Sequence, residues 1–342
     1  YSVLPANGAG DLYPFNRSSA GTRVNKSGLI EQVATDIPRL DYSDGSCPSL
    51  LTEPQIINLI TNSNSAGSVG GGIITLNAAI SPDGTSNAFK IKFTGGSSNA
   101  GGLLNLESNP TVGTFFASTV YTLSFYAKNL VGSGSFKARI DTDSTSTLKQ
   151  QDFTATSNWQ RFTMSFTTEL EKNLFATSLI PTTNGISTRN PDSALKTGLS
   201  SYTSLTAGVL YGEFAALSNE DTTYRVFSLS DGTGLGPGRI FIGFTNTNQI
   251  YANVGATSFG YFTPTDATTF HKVAIKYENG SSKLFINGVQ LGTTKPATAP
   301  SVLSRLGLDA GNQGARFNGK LKDIRVYNTA LTDAELVTLT TI

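Results

Sequence analysis

Outside the helix-like C-terminal stretch, two pairs of carboxylates have the spacing that bond-breaking chemistry on a β-strand would need: Asp141 with Asp143, and Glu169 with Glu171. Alternate residues of a strand point to one face. Glycoside hydrolysis uses two carboxyl groups about 5 to 9 Å apart, one as acid and one as base or nucleophile. Neither pair extends to a third alternating carboxylate. Asp141-Thr-Asp closes an apolar run and Glu169-Leu-Glu falls where one β-rich region gives way to the next, so both read as solvated strand ends. The single histidine, His271, would have to serve any Ser-His-Asp triad. It precedes the core-like run Lys272-Val-Ala-Ile-Lys and reads as packing. One histidine also excludes a multi-histidine metal site. Gly232, Gly234, Gly236 and Gly238 form a glycine-rich loop, but it lacks the Lys-Ser/Thr and the strand-loop-helix setting of a phosphate cradle, and reads as a hairpin tip. No catalytic residue emerges and no cofactor is implied, so the expectation is a non-enzymatic protein.

Binding chemistry is better represented. A sugar offers an apolar face and a ring of hydroxyls, which call for an aromatic platform beside planar polar side chains. Arg239, Tyr251, Asn253, Phe259, Tyr261 and Phe262 lie close together in sequence and are the candidate glycan contacts. Weak candidates for a structural Ca²⁺ are Asp141, Asp143, Asp231 and Asp309, although none sits in a loop with ligand-like spacing. Trp159, the only tryptophan, begins a strand and reads as packed.

The elements that must position these residues are strands. Charged residues make up 14% of the 342, against about a quarter in an ordinary globular chain. Gly, Ser, Thr and Asn abound, as suits short strands joined by tight turns. A net charge of +1 provides no basic field for a nucleic-acid backbone, and no run of about 20 apolar residues reads as a membrane span. One cysteine, Cys47, cannot build an intramolecular disulfide framework. The chain opens on Tyr1 rather than Met, which reads as a processed or partial product.

Residues 1–62, punctuated by Pro5, Pro14, Pro38, Pro48 and Pro54, read as an irregular arm lying along another surface, of its own chain, a sister subunit or a larger assembly. Residues 63–180 alternate in the β manner: Tyr121, Leu123 and Phe125 share a face, as do Phe136, Ala138 and Ile140, and Phe162, Met164 and Phe166. Residues 181–200 read as a linker. Residues 201–342 form a second β-rich region with a nearly explicit meander: Lys272–Glu278, the turn Asn279-Gly280, Lys283–Ile286, the turn Asn287-Gly288, then Val289–Leu291. After the strand-like run Leu321–Tyr327, Thr332 and Glu335 make a capping box for a short helix. The expected fold is all-β, with two tandem jelly-roll sandwiches preceded by an extended arm.

Three stretches resemble a known family. They are Arg23-Val-Asn-Lys-Ser-Gly-Leu-Ile-Glu with Pro38-Arg-Leu-Asp-Tyr and Cys47-Pro-Ser-Leu-Leu-Thr-Glu-Pro-Gln; Ser81-Pro-Asp-Gly-Thr-Ser-Asn-Ala-Phe with Asn158-Trp-Gln-Arg-Phe; and Phe175-Ala-Thr-Ser-Leu-Ile-Pro-Thr with Thr188-Arg-Asn. In this order they are similar to tailed-bacteriophage fibre and adhesin proteins, which carry a carbohydrate-binding-module-like jelly roll and a C-terminal laminin-G, concanavalin A-like module. The resemblance implies a virion structural protein, a homotrimer held to other virion proteins through its arm, facing a host cell-surface glycan. It implies no nucleic-acid partner and no membrane insertion. The alternative is a secreted bacterial lectin, or the binding appendage of a larger glycan-active enzyme. A capsule depolymerase would need the carboxylate pair not found above.

Overall fold

The computed structural model describes residues 14–60, 63, 72–93, 119–141, 147–167, 178–182, 186–219, 221–234 and 236–342. These are all-β, apart from a 3-10 turn and one helix, Asp333–Thr340. The chain falls into two compact units. One takes in Tyr1–Arg23, Val33–Gln55 and Asn190–Ile342, the other Val24–Gln32 and Ile56–Arg189.

The unit containing the C-terminus is a sandwich of two seven-stranded sheets. The first runs, in spatial order, Phe15–Asn16, Ser193–Thr197, Arg305–Gly307, Arg225–Ser230, Arg239–Phe244, Ile250–Val254 and Thr257–Phe262. The second runs Val289–Lys295, Ser282–Ile286, His271–Glu278, Ala207–Ala215, Gly319–Tyr327, Ser49–Thr52 and Leu40–Asp41. The meander expected from the two Asn-Gly turns forms three consecutive strands of this second sheet, with Val273 opposite Ile286 and Ile286 opposite Val289.

Alternation sorts the side chains between faces. From Ala207–Ala215, Leu210 and Phe214 enter the core between the sheets with Val273, Ile275 and Leu284; from the first sheet come Phe227, Leu229, Ile240, Ile242 and Phe244. Phe214 meets Phe227 at 5.4 Å and Phe244 at 5.2 Å, both edge-on. Val209 and Tyr211 point the other way, where Ala274, Phe285 and Leu336 of the helix cover them. The helix starts at the expected capping box: Glu335 N–H donates to Thr332 Oγ1, and Thr332 N–H to Glu335 Oε2. Gly212 sits on the core face where the sheets touch, and a Cβ there would come 2.5 Å from Phe227 Cζ. Gly212→Ala is therefore expected to lower stability by about 1–3 kcal/mol through overpacking, read as a lower denaturation midpoint at unchanged slope.

The span expected as an irregular arm is, where described, mostly part of this sandwich. Ser49–Thr52 pairs with Gly319–Tyr327, placing Leu50 opposite Leu321, and Leu40–Asp41 extends the same sheet. The span expected as a linker likewise carries strands, and Ser193–Thr197 pairs with Arg305–Gly307 in the first sheet. A buried ion cluster accompanies both insertions. Arg17 Nη1 donates to Asp192 Oδ1 at 3.2 Å, Arg39 donates through Nη1 to Glu53 and through Nη2 to Asp192, and Glu53 N–H donates to Asp192 Oδ2 at 2.8 Å. All four side chains are within 2% of full burial. Burial alone would lower the Arg39 guanidinium, but Glu53 and Asp192 outweigh it and hold the pKa above its ordinary value.

The described strands lying wholly in the second unit form four antiparallel pairs: Gly72–Ala79 with Ala88–Phe93, Val120–Ala127 with Gln160–Thr167, Gly134–Asp141 with Thr147–Ala155, and Ile56–Asn58 with Ser187–Arg189. Register sets Phe125 opposite Phe162 and Phe136 opposite Phe153. These four rings gather at centroid distances of 5.2–5.9 Å, and Met164 is buried. The faces read from alternation thus meet in one aromatic cluster. Trp159 Nε1 donates to Ile80 O at 2.9 Å, and Lys128 lies over its ring.

Candidate functional site

The outer face of the first sheet, opposite the core, carries the residues best suited to a saccharide. In Arg239–Phe244, Ile240, Ile242 and Phe244 fill the core, leaving Arg239, Phe241 and Gly243 for the outer face. In Ile250–Val254 the same parity sends Tyr251 and Asn253 outward. Pairing then aligns them: Phe241 lies opposite Asn253, Gly243 opposite Tyr251, and Tyr251 opposite Tyr261.

Tyr251 is the centre of an aromatic shelf. It stacks on Tyr261 at 6.1 Å with 23° between planes, meets Tyr224 edge-on at 6.0 Å, and rests against Phe241 at 5.0 Å. Tyr224 and Tyr261 are 51% and 58% exposed, so the rings at the shelf's two ends face solvent. Gly243 leaves the strip between Val226 and Tyr251 free of a side chain. It has no alternative, because a Cβ there would come 2.0 Å from Arg225 O.

Beside the shelf lies a groove of about 590 Å³, lined by Tyr224, Tyr251, Arg239, Asn253 and Asn312 among others. Arg239 Nη1 donates to Gly234 O at 3.0 Å and Ala310 O at 2.7 Å, while its guanidinium lies 5.0 Å from the Phe241 ring centroid. Asn253 has no side-chain partner among the described residues. The glycine-rich loop borders the groove through Gly234 and Gly236; φ is +72° at Gly234, where a Cβ would collide with Asn312. Burial and the neighbouring Tyr224 and Tyr261 push the Tyr251 hydroxyl up to about 12. It therefore stays protonated, able to donate, at every physiological pH.

Four of the six expected contacts (Arg239, Tyr251, Asn253 and Tyr261) are brought together here. Phe259 and Phe262 are corrected. Phe259 is 2% exposed and, with Phe262, packs into the core. A register shift opposite Tyr251–Asn253, with Gly260 at φ +92°, places both rings on the inner side although they are three residues apart. Tyr224, Phe241 and Asn312 are additions to the expected set. The alternation of Tyr224-Arg-Val-Phe-Ser-Leu-Ser was the available signal for Tyr224.

The cation candidates are not gathered. Asp231 Oδ1 accepts from Thr233 N–H and Oγ1, and Asp309 takes a two-pronged contact from Arg305 and a third from Gly311 N–H. Asp141 ends its strand, while Asp143, Glu169 and Glu171 lie outside the described residues. Among the described residues, no three His, Cys, Asp or Glu side chains converge, and no helix is long and apolar enough to cross a membrane.

His271 is buried in the sandwich unit. Its Nε2 lies 3.2 Å from Asp266 O, which can only accept, and its Nδ1 lies 3.0 Å from the Asn287 amide nitrogen. The ring therefore carries its proton on Nε2 and accepts at Nδ1. Burial lowers its pKa below the ordinary 6.5. The unfolded chain takes up this proton first as pH falls, so stability is lost from about pH 6.5 downward and levels off below the folded-state pKa. A plot of Tm against pH should show this inflection in the native protein and lose it in His271→Gln.

Comparison with known proteins places residues 214–337 in register with the concanavalin A-like lectin/glucanases superfamily. Solved structures similar to the chain include the leech intramolecular trans-sialidase (22% identity, 41% of this chain and 24% of that one, TM-score 0.32). They also include the CBM40 module of the Ruminococcus gnavus IT-sialidase (18%, 40% and 84%, 0.33). A third is domain 4 of an extracellular GH43 arabinanase from Geobacillus stearothermophilus, solved with arabinotriose (16%, 44% and 73%, 0.34). The chain thus spans about a quarter of the leech enzyme's length. A search of curated proteins found no match.

Proposed function

We propose that this chain is a non-enzymatic carbohydrate-binding protein whose saccharide lies on the outer face of the first sheet, across Tyr224, Tyr251 and Tyr261. The observation that carries this reading is the tyrosine shelf itself: two half-exposed rings flank a third, beside a carboxamide with no side-chain partner among the described residues and a fixed guanidinium. Stacking on the rings would take the apolar face of a sugar, and Asn253, Arg239 and the Tyr251 hydroxyl would take its hydroxyls. The superfamily match over residues 214–337 supports the same reading.

Of the two settings, a secreted lectin or binding appendage of a glycan-active enzyme has the better support. It would act outside the cell or at its surface, with a glycan as partner. The first 62 residues, which a homotrimeric virion fibre would use as its anchor, commit Arg17, Arg39 and Glu53 to contacts within the chain. A glycan array probed with the full chain tests the function: retention of at least one saccharide class is expected, with no shortening of that saccharide on prolonged incubation. Absence of retention across the array would refute binding, and shortening would refute the non-enzymatic part.

A further inference from the structure

Resting on that reading, we propose that the groove selects saccharides bearing a carboxylate over their neutral counterparts, with Arg239 as the selecting residue. Arg239 is the one charged side chain lining the groove among the described residues. Among the described residues, no carboxylate belongs to that lining. A neutral sugar would need no cation at its edge, whereas an acidic one would meet the positive charge of Arg239 in the lining itself; of the two bordering carboxylates, Asp309 is charge-paired with Arg305 and Asp231 is engaged by Thr233.

The guanidinium is also held for the purpose. Nη1 spends its hydrogen bonds on Gly234 O and Ala310 O, two carbonyls on different loops, and the plane rests near Phe241. Nε is buried without a partner, and Nη2 has no partner among the described residues. Nη2 is therefore the nitrogen left to meet a carboxylate in the groove, through a charge-assisted hydrogen bond. The side chain is thus already ordered, so little rotamer entropy is lost when the anion arrives. A water-exposed, unanchored Arg would offer the same charge with less selectivity.

Native protein titrated calorimetrically with tri-galacturonate, a hyaluronan oligosaccharide and 3′-sialyllactose, each beside its carboxyl-reduced form, tests the inference without any mutation. At least one acid is expected to bind about tenfold or more tightly than its reduced partner, and to weaken as ionic strength rises. Arg239→Gln should abolish that preference, and Arg239→Lys should restore the charge but only part of the preference. If reduced forms bind as well as the acids, the selectivity is overturned while carbohydrate binding stands. If neither acids nor neutral glycans across the array are retained, both fall.

Discussion

Replacing Arg39 by Ala is expected to lower the stability of the sandwich unit by about 3–5 kcal/mol. Arg39 is fully buried between Glu53 and Asp192, and the cluster is balanced, with Arg17 and Arg39 against Glu53 and Asp192. Removing one cation leaves a carboxylate without its counter-charge where water cannot replace it. A surface ion pair would contribute about 1 kcal/mol or less, so the size of the loss distinguishes a buried cluster from a solvated one. The single tryptophan, Trp159, belongs to the other unit, which supplies a control. Far-UV circular dichroism should register the lowered transition in urea while tryptophan fluorescence holds its native midpoint. A loss under about 1 kcal/mol would contradict the cluster. Equal movement of both probes would mean that the two units unfold as one.

The same cluster decides which piece of chain can fold. A protein starting at residue 190 would lack Ser49–Thr52 and Leu40–Asp41, exposing the edge of Gly319–Tyr327 in the second sheet. It would also leave Asp192 with neither Arg17 nor Arg39. Such a fragment, although it contains every residue of the tyrosine shelf, is expected to aggregate through its open edge. Glycan binding should therefore be measured on the full chain.

Local periodicity made much of this fold legible, and sequence distance hid the rest. The meander from His271 to Lys295 was readable because its turns are Asn-Gly and its strands alternate within a few residues. The capping box at Thr332 needs only three residues to identify. By contrast, Leu50 meets Leu321 across most of the chain, and no local pattern in a Pro- and Gly-punctuated stretch announces that pairing. Nothing local marks Arg17 and Arg39 as buried, because burial of an ion depends on partners supplied from Glu53 and Asp192. At the site, strict alternation correctly pairs Tyr251 with Asn253, but it fails at Phe259. There one extra residue shifts the register, a local departure that shapes the shelf by turning Tyr261 out and Phe262 in.

Tyr251→Ala should weaken saccharide binding by about 2 kcal/mol, or roughly thirtyfold. Tyr251 is the only ring of the shelf touching Tyr224, Phe241 and Tyr261 together, so its loss removes the platform and unseats the exposed rings at its two ends. Tyr261→Ala, which removes an end ring, should cost about 1 kcal/mol. Because Tyr251 also makes cross-strand contacts, some loss of stability accompanies its removal, and Phe259→Leu supplies the comparison: it perturbs the same strands from the core side without touching the shelf. Weakening of binding by Phe259→Leu to the same degree would assign the effect to the fold rather than to the ring. Tyr251→Phe then separates the two ways a tyrosine can hold a sugar. If stacking dominates, it retains most of the affinity. If the hydroxyl, kept protonated by a pKa pushed up to about 12, is the main contact, Tyr251→Phe falls nearly as far as Tyr251→Ala. The shelf would then be a hydrogen-bonding surface with aromatic walls.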